Sequence, residues 1–127
     1  MINNEKKEMR YSILKFSNRH IMNMKTKKDI VEDWLPRYTG RALEDFSKHI
    51  ILTNFDYYLD LFAEKYNAPI IGENKNMPNV SHDGITMINF GMGSANAATI
   101  LDLLSAIEPE AVLFIGKCGG LKAKHHE

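Results

Sequence analysis

A single cysteine, Cys118, stands among 127 residues, so no disulfide can close within the chain. That usage fits a reducing, cytoplasmic setting. A surplus of one charge sign is also missing: sixteen Lys and Arg balance sixteen Asp and Glu. The balance removes the overall field that would draw a protein to nucleic acid or to an anionic membrane. No apolar run approaches the ~20 residues of a membrane-spanning helix. The opening "MINNEKKEMRYS" has no apolar core after its charges and does not read as a secretory signal. Internal repeats and low-complexity tracts are absent. What remains is ordinary for a soluble domain, with 44% hydrophobic and 25% charged residues. A chain of this length buries roughly two-thirds of its unfolded surface, enough for one core.

Charge is uneven along the chain. Residues 1–29 carry eight of the sixteen basic residues and three acidic ones, Glu5, Glu8 and Asp29. Residues 1–23 read as a solvated basic leader outside the fold, and "MKTKKDIVEDWLPRY" from Met24 reads as the start of the domain. Thr26 is a candidate N-cap for a helix that places Ile30, Val31, Trp34 and Leu35 on one face and stops at Pro36. A second short helix is expected around Ala42, Leu43 and Phe46.

From His49 the pattern becomes β-α-β-β-α-β. "HIILTN" and "APIIG" read as strands around a helix carrying Phe55, Tyr58, Leu59, Phe62 and Tyr66, closed by Asn67. The aromatic stripe on that helix is expected to be core. "ENKNMPNVSHDG" reads as a loop, and "ITMINF" as the third strand. A helix capped by Ser94 or Asn96 follows, with Ala97, Ile100, Leu101, Leu104 and Ile107 inward and Pro109 at its end. "AVLFIG" is the fourth strand. Helices of this length between strands imply crossover connections and a mostly parallel or mixed sheet. "GGLKAKHHE" follows a strand that reads as central, so the chain is expected to be the N-terminal part of a larger domain, with an uncovered sheet beyond that strand.

Ligands of open α/β sheets sit at the carboxyl ends of the strands. Two Gly-rich turns lie there: Gly91-Met92-Gly93-Ser94, and Gly116-Lys117-Cys118-Gly119-Gly120. The first lets a ligand approach bare backbone and the start of the next helix. Neither turn is a dinucleotide fingerprint or a P-loop. Asn96 stands where the fingerprint wants Gly or Ala, and the second turn lacks the upstream Gly and the Ser or Thr. Lys117 can serve an anion as a point charge, and Cys118 is expected to be a small buried neighbour of the ligand. Arg37 and Arg41 flank "YTG" and suit either bidentate phosphate contact or plain surface charge. His20, His49, His82, His125 and His126 show no metal-ligand spacing.

Taken together, "IVEDWLPRYTG", "HIILTNFDYY", "INFGMGSANAATILDLLSAIEP" and "AVLFIGKCGGLK" resemble the short bacterial AMP nucleosidases of the nucleoside phosphorylase superfamily. The resemblance runs from about Met24 to Lys122. It implies a three-layer α/β/α sandwich around a mixed sheet, truncated here, and a homo-oligomer, often a hexamer. It implies hydrolysis of AMP to adenine and ribose 5-phosphate, with no cofactor or metal and with no nucleic-acid or membrane partner. Phosphorylases of this superfamily hold phosphate with a Gly-Asp-Pro loop, two Arg and a Ser. Here Thr53-Asn54-Phe55 replaces the loop, Tyr58 and Phe114 stand at the arginine positions, and Lys117 stands at the serine. That pattern disfavours the alternative, a purine nucleoside phosphorylase, and makes water the nucleophile.

By the same resemblance Met92 packs under the ribose, and Cys118 and Gly119 lie beside the base. The 5′-phosphate falls to Lys117 with Arg37 or Arg41. The general acid, in an "SD" motif, and the ribose-binding "ME" motif have no match, so the catalytic acid is expected beyond Glu127. A non-catalytic adenine-nucleotide-binding or assembly module is the reading from another class.

Overall fold

The computed structural model describes residues 25–121. The basic leader of residues 1–23 and the His125-His126 pair lie outside the described residues. Of the described residues, those up to Ile30 and those from Val31 onward fall into two units. In the first, Thr26 caps as expected. Its hydroxyl accepts the Asp29 N–H at 3.2 Å, while its own N–H donates to Asp29 Oδ2 at 2.8 Å. This reciprocal box satisfies two donors at the helix start. Hydrogen bonding from the Thr26 side chain and backbone lowers the Asp29 pKa.

Helix α1 spans Lys27–Thr39 and runs through Pro36 rather than stopping there. Proline removes one helical N–H. The turn survives because Leu35 and Thr39, on either side of the proline, are both fully buried, and the Thr39 hydroxyl donates to the Leu35 carbonyl at 2.7 Å. Gly40, at φ +70°, then ends the helix. Ile30 and Trp34, expected inward, are exposed, and Val31 and Leu35 make the buried contact. The second short helix is one 3₁₀ turn, Leu43–Asp45.

Strand β1 is His49–Thr53, and helix α2 is Asp56–Tyr66. Asn67 closes α2 in the left-handed region at φ 48°. The second strand differs from expectation. "APIIG" contributes one isolated bridge, Ile71 to Asn79, and strand β2 is instead Asn79–His82, inside the segment read as a loop. Strand β3 is Ile85–Asn89. Asp83 and Gly84, both at positive φ, form the two-residue turn of a β2–β3 hairpin with His82 opposite Ile85. Gly72 fits where no side chain could: a Cβ there would lie 2.2 Å from the Thr39 carbonyl oxygen.

Helix α3 is Ser94–Leu104, continued by a 3₁₀ turn at Ser105–Ile107. Its N-cap is Gly93, with no side-chain cap, rather than Ser94 or Asn96. Ile100, Leu103, Leu104 and Ile107 are buried at helical spacing, so Leu103 takes the inward place assigned to Leu101. Strand β4 is Ala111–Ile115.

The sheet order is β2-β3-β1-β4, with β1 parallel to β3 and β4 and β2 antiparallel to β3. Strand alternation separates two cores. Ile50, Leu52, Ile88 and Phe90 join Val31, Leu35, Ile100 and Leu104 on one face. On the other, Leu59, Val80 and Met87 pack with Ile51, Tyr58 and Phe62. Helices on both faces of a mixed sheet make three α/β/α layers, as expected. Tyr58 and Phe62 therefore belong to a core, while Tyr66 is exposed and stacks on His82 at 4.5 Å. At the β4 edge Val112, Leu113 and Phe114 are 41%, 57% and 57% exposed. Apolar side chains thus stand uncovered on both faces of that strand.

Candidate substrate site

The parallel strands β3, β1 and β4 end side by side, since Thr53 registers with both Asn89 and Ile115. At the β1 end the Thr53 hydroxyl accepts the Phe55 N–H at 3.2 Å and turns the chain into α2. Asn54, between them, faces Met92 across the strand ends, with Nδ2 3.8 Å from Sδ. Asn54 Oδ1 is buried and has no hydrogen-bond partner among the described residues. A buried acceptor left unpaired costs about 1–3 kcal/mol, so it marks a place where a ligand donor is favoured.

At the β3 end Gly91 and Gly93 take φ values of +79° and +93°. A Cβ at Gly93 would meet open space, so conformation and not room demands glycine there. Met92 between them is 76% exposed. Asn96 Nδ2 donates to the Met92 carbonyl at 3.1 Å, which ties the turn to the first turn of α3. Gly93, the N-cap of α3, makes no side-chain cap bond, and the first N–H groups of a helix have no partner within the helix itself.

At the β4 end Lys117 reaches back over the start of α2. Its ammonium lies 5.1 Å from the Phe55 ring centroid, 5.4 Å from Tyr57 and 5.6 Å from Tyr58. Three ring faces hold a cation beside a helix N-terminus, where the helix dipole alone would repel it. Cys118 is exposed, not buried as expected. Gly119 and Gly120 continue the exposed segment, which has no covering layer among the described residues.

The two arginines are employed elsewhere. Arg37 pairs with Asp33 one turn back, at 2.9 and 3.1 Å, on an exposed face of α1. Arg41 donates from Nε to Asn79 Oδ1 at 2.6 Å and from Nη1 to the Asp45 carbonyl at 3.4 Å, with its guanidinium over Phe46. Burial lowers its pKa. Two residues at the strand ends escaped the sequence reading. Asn89 Nδ2 donates to Asp56 Oδ1 at 2.6 Å, and Asn89 Oδ1 accepts the Gly91 N–H at 2.9 Å. A polar residue closing the apolar run "ITMIN" was the available signal.

No protein-family profile matches the chain. AMP nucleosidases from Escherichia coli K12 and O157:H7 are each 27% identical to it, over 69% of this chain and 26% of theirs. The crystal structure of AMP nucleosidase from Bacteroides thetaiotaomicron VPI-5482 superposes with a TM-score of 0.73 and is 67% identical, over 76% of this chain and 42% of that one. The chain is similar to AMP nucleosidases over these stretches. It spans about two-fifths of the solved AMP nucleosidase and about a quarter of the curated ones. A purine nucleoside phosphorylase from Toxoplasma gondii, solved with immucillin-H, superposes at a TM-score of 0.56 with 21% identity, over 66% of this chain and 36% of that one. At that identity the likeness is one of fold.

Proposed function

We propose that this chain supplies the ribose and phosphate side of a site that hydrolyses AMP to adenine and ribose 5-phosphate, in cytoplasmic purine salvage. The observation that carries this is the 67% identity to a solved AMP nucleosidase across 76% of the chain. Residues 24–127 form, on this reading, the N-terminal part of the domain. Gly91, Gly93 and Ser94 give the ribose bare backbone to lie on, with Met92 beneath it. Asn54 Oδ1 accepts a ribose hydroxyl and so gains its missing partner. Cys118, Gly119 and Gly120 pass beside the base. Of the three cations considered for the 5′-phosphate, Lys117 is the one not spent on Asp33 or Asn79. Rings of Phe55, Tyr57 and Tyr58 surround that cation. Their bulk at the β1–α2 junction favours water over inorganic phosphate as the nucleophile. The bond to N9 lengthens, the ribose gains oxocarbenium character, and a carboxylic acid outside the matched stretch protonates the leaving purine.

The test is a chimera in which residues 24–122 replace the matched stretch of the Bacteroides thetaiotaomicron protein. Chromatography of its reaction with AMP is expected to show adenine with or without phosphate. Adenine that appears only with phosphate, together with ribose 1-phosphate, would establish the phosphorylase instead. AMP bound without turnover would support the non-catalytic module.

We infer a homo-oligomer as well, supported by the uncovered apolar side chains of β4. Exposed edges of this kind associate. Light scattering of the 127-residue chain is expected to give a mass above the 14.5 kDa monomer. Val112→Lys with Phe114→Glu should shift that mass toward the monomer. A monodisperse monomer before substitution would refute the inference.

A further inference from the structure

We propose that Asp56 and Asn89 are a positioning pair that sets the Gly91 turn and, through it, the backbone presented to the ribose. The ligand half of this inference rests on the proposed AMP site; the structural half does not.

Asn89 closes β3 and is 8% exposed. Its carboxamide is the link in a short relay: Nδ2 donates to Asp56 Oδ1 at 2.6 Å, and Oδ1 accepts the Gly91 N–H at 2.9 Å. A carboxamide alone can flip, exchanging its donor and its acceptor. An ionised carboxylate accepts only, so Asp56 permits one orientation. Once Nδ2 is committed to Asp56, Oδ1 must point at Gly91. Asp56 is in turn held by its place in the first turn of α2, where a negative charge is favoured. Gly91, at φ +79°, is the residue least able to hold its own conformation. The pair thus transmits the position of the α2 start to the β3–α3 turn. Thr53 opposite Asn89 brings the two strand ends into register.

The test exchanges the two side chains. Asn89→Asp sets two carboxylates face to face. Asp56→Asn removes the group that fixes the carboxamide. The double variant restores both bonds with the roles reversed: the amide on residue 56 donates, and the carboxylate on residue 89 accepts from it and from Gly91. Hydrogen exchange of the Gly91 amide in the ¹⁵N-labelled 127-residue chain is expected to quicken about tenfold or more in each single variant. It is expected to return to within about threefold of the parent in the double variant. In the chimera described above, KM for AMP is expected to rise about tenfold in each single variant and to recover in the exchange.

Unchanged Gly91 exchange in both single variants overturns the pair, and so does a double variant as fast as the singles. Exchange that responds while KM does not overturns the link to the ribose. An unsubstituted chimera that releases no adenine overturns the AMP reading instead, and the Gly91 exchange still decides the pair. If a single variant fails to fold, recovery in the double variant decides it.

Discussion

Asn79→Ala is expected to lower the unfolding free energy of the chain by about 3 kcal/mol. Asn79 is fully buried at the start of β2. Its Nδ2 donates to the Thr39 carbonyl at 2.8 Å, with longer contacts to the carbonyls of Met77 and Ile71 at 3.3 and 3.4 Å. Its Oδ1 accepts the Arg41 Nε at 2.6 Å. One side chain therefore joins the end of α1, the Ile71–Met77 loop and a guanidinium. Alanine leaves a buried carbonyl and the Arg41 Nε donor without their Asn79 partner at once, and each orphan costs about 1–3 kcal/mol. Arg41 keeps some access to water, so the sum falls short of the ~5 kcal/mol of a fully buried broken pair. With a urea slope of about 1–2 kcal/mol/M for a small domain, the midpoint should fall by about 1.5–3 M. Arg41→Met alone should cost less, about 1 kcal/mol, because Asn79 keeps its donors paired. A midpoint shift below about 0.3 M for Asn79→Ala would show that water replaces these bonds without loss.

The same residue explains where the sequence could be read and where it could not. Helical spacing announced α2 and α3, and the runs "HIILT", "ITMIN" and "AVLFI" announced three strands of four, because amphipathic helices and apolar β-prone strands write themselves into local pattern. Strand β2 did not. "NVSH" is polar, and its partners are set by a hairpin and by Asn79 bonds to residues as far away as Thr39. The legible clue was Asp83-Gly84, a two-residue turn signal flanked by β-compatible residues. "APIIG" misled because Ile70 and Ile71 have strand propensity, while Gly72 is packed against the Thr39 backbone and turns the chain after one bridge. Pro36 misled in the same way, since burial of Leu35 and Thr39 outweighed one lost helical bond.

At the site, the glycine turns were visible as composition and their location followed from the strand order. The relay through Asp56 and Asn89 was not, because a contact across 33 residues leaves no local period. Cys118 was misread for a related reason. A small thiol between glycines looks buried only if something covers β4, and the described residues provide no such layer.

The largest effect is expected in catalysis: the 127-residue chain alone should release no adenine from AMP above the uncatalysed background. The solved AMP nucleosidase has a longer chain, with 42% of it matched here. Among the described residues, the strand-end contacts involve the carboxylate of Asp56, and it is committed to Asn89 at 2.6 Å. General acid catalysis is worth about 10²–10⁴-fold. The residues present offer binding, orientation and a cation, so AMP should bind and stay whole. The chimera, which restores the remainder of the relative, should turn over at the ordinary enzymatic rate of about 1–10³ s⁻¹. A titration of AMP against the chain alone, run beside the chromatography, separates an empty site from an occupied but inert one. Adenine released by the chain alone at such a rate would refute this reading, and Asp56 would then be the acid to replace first. If Asp56→Ala abolished that activity, the Asp56–Asn89 bond would have to open during each turnover, and the exchange of the Gly91 amide would quicken when AMP is added.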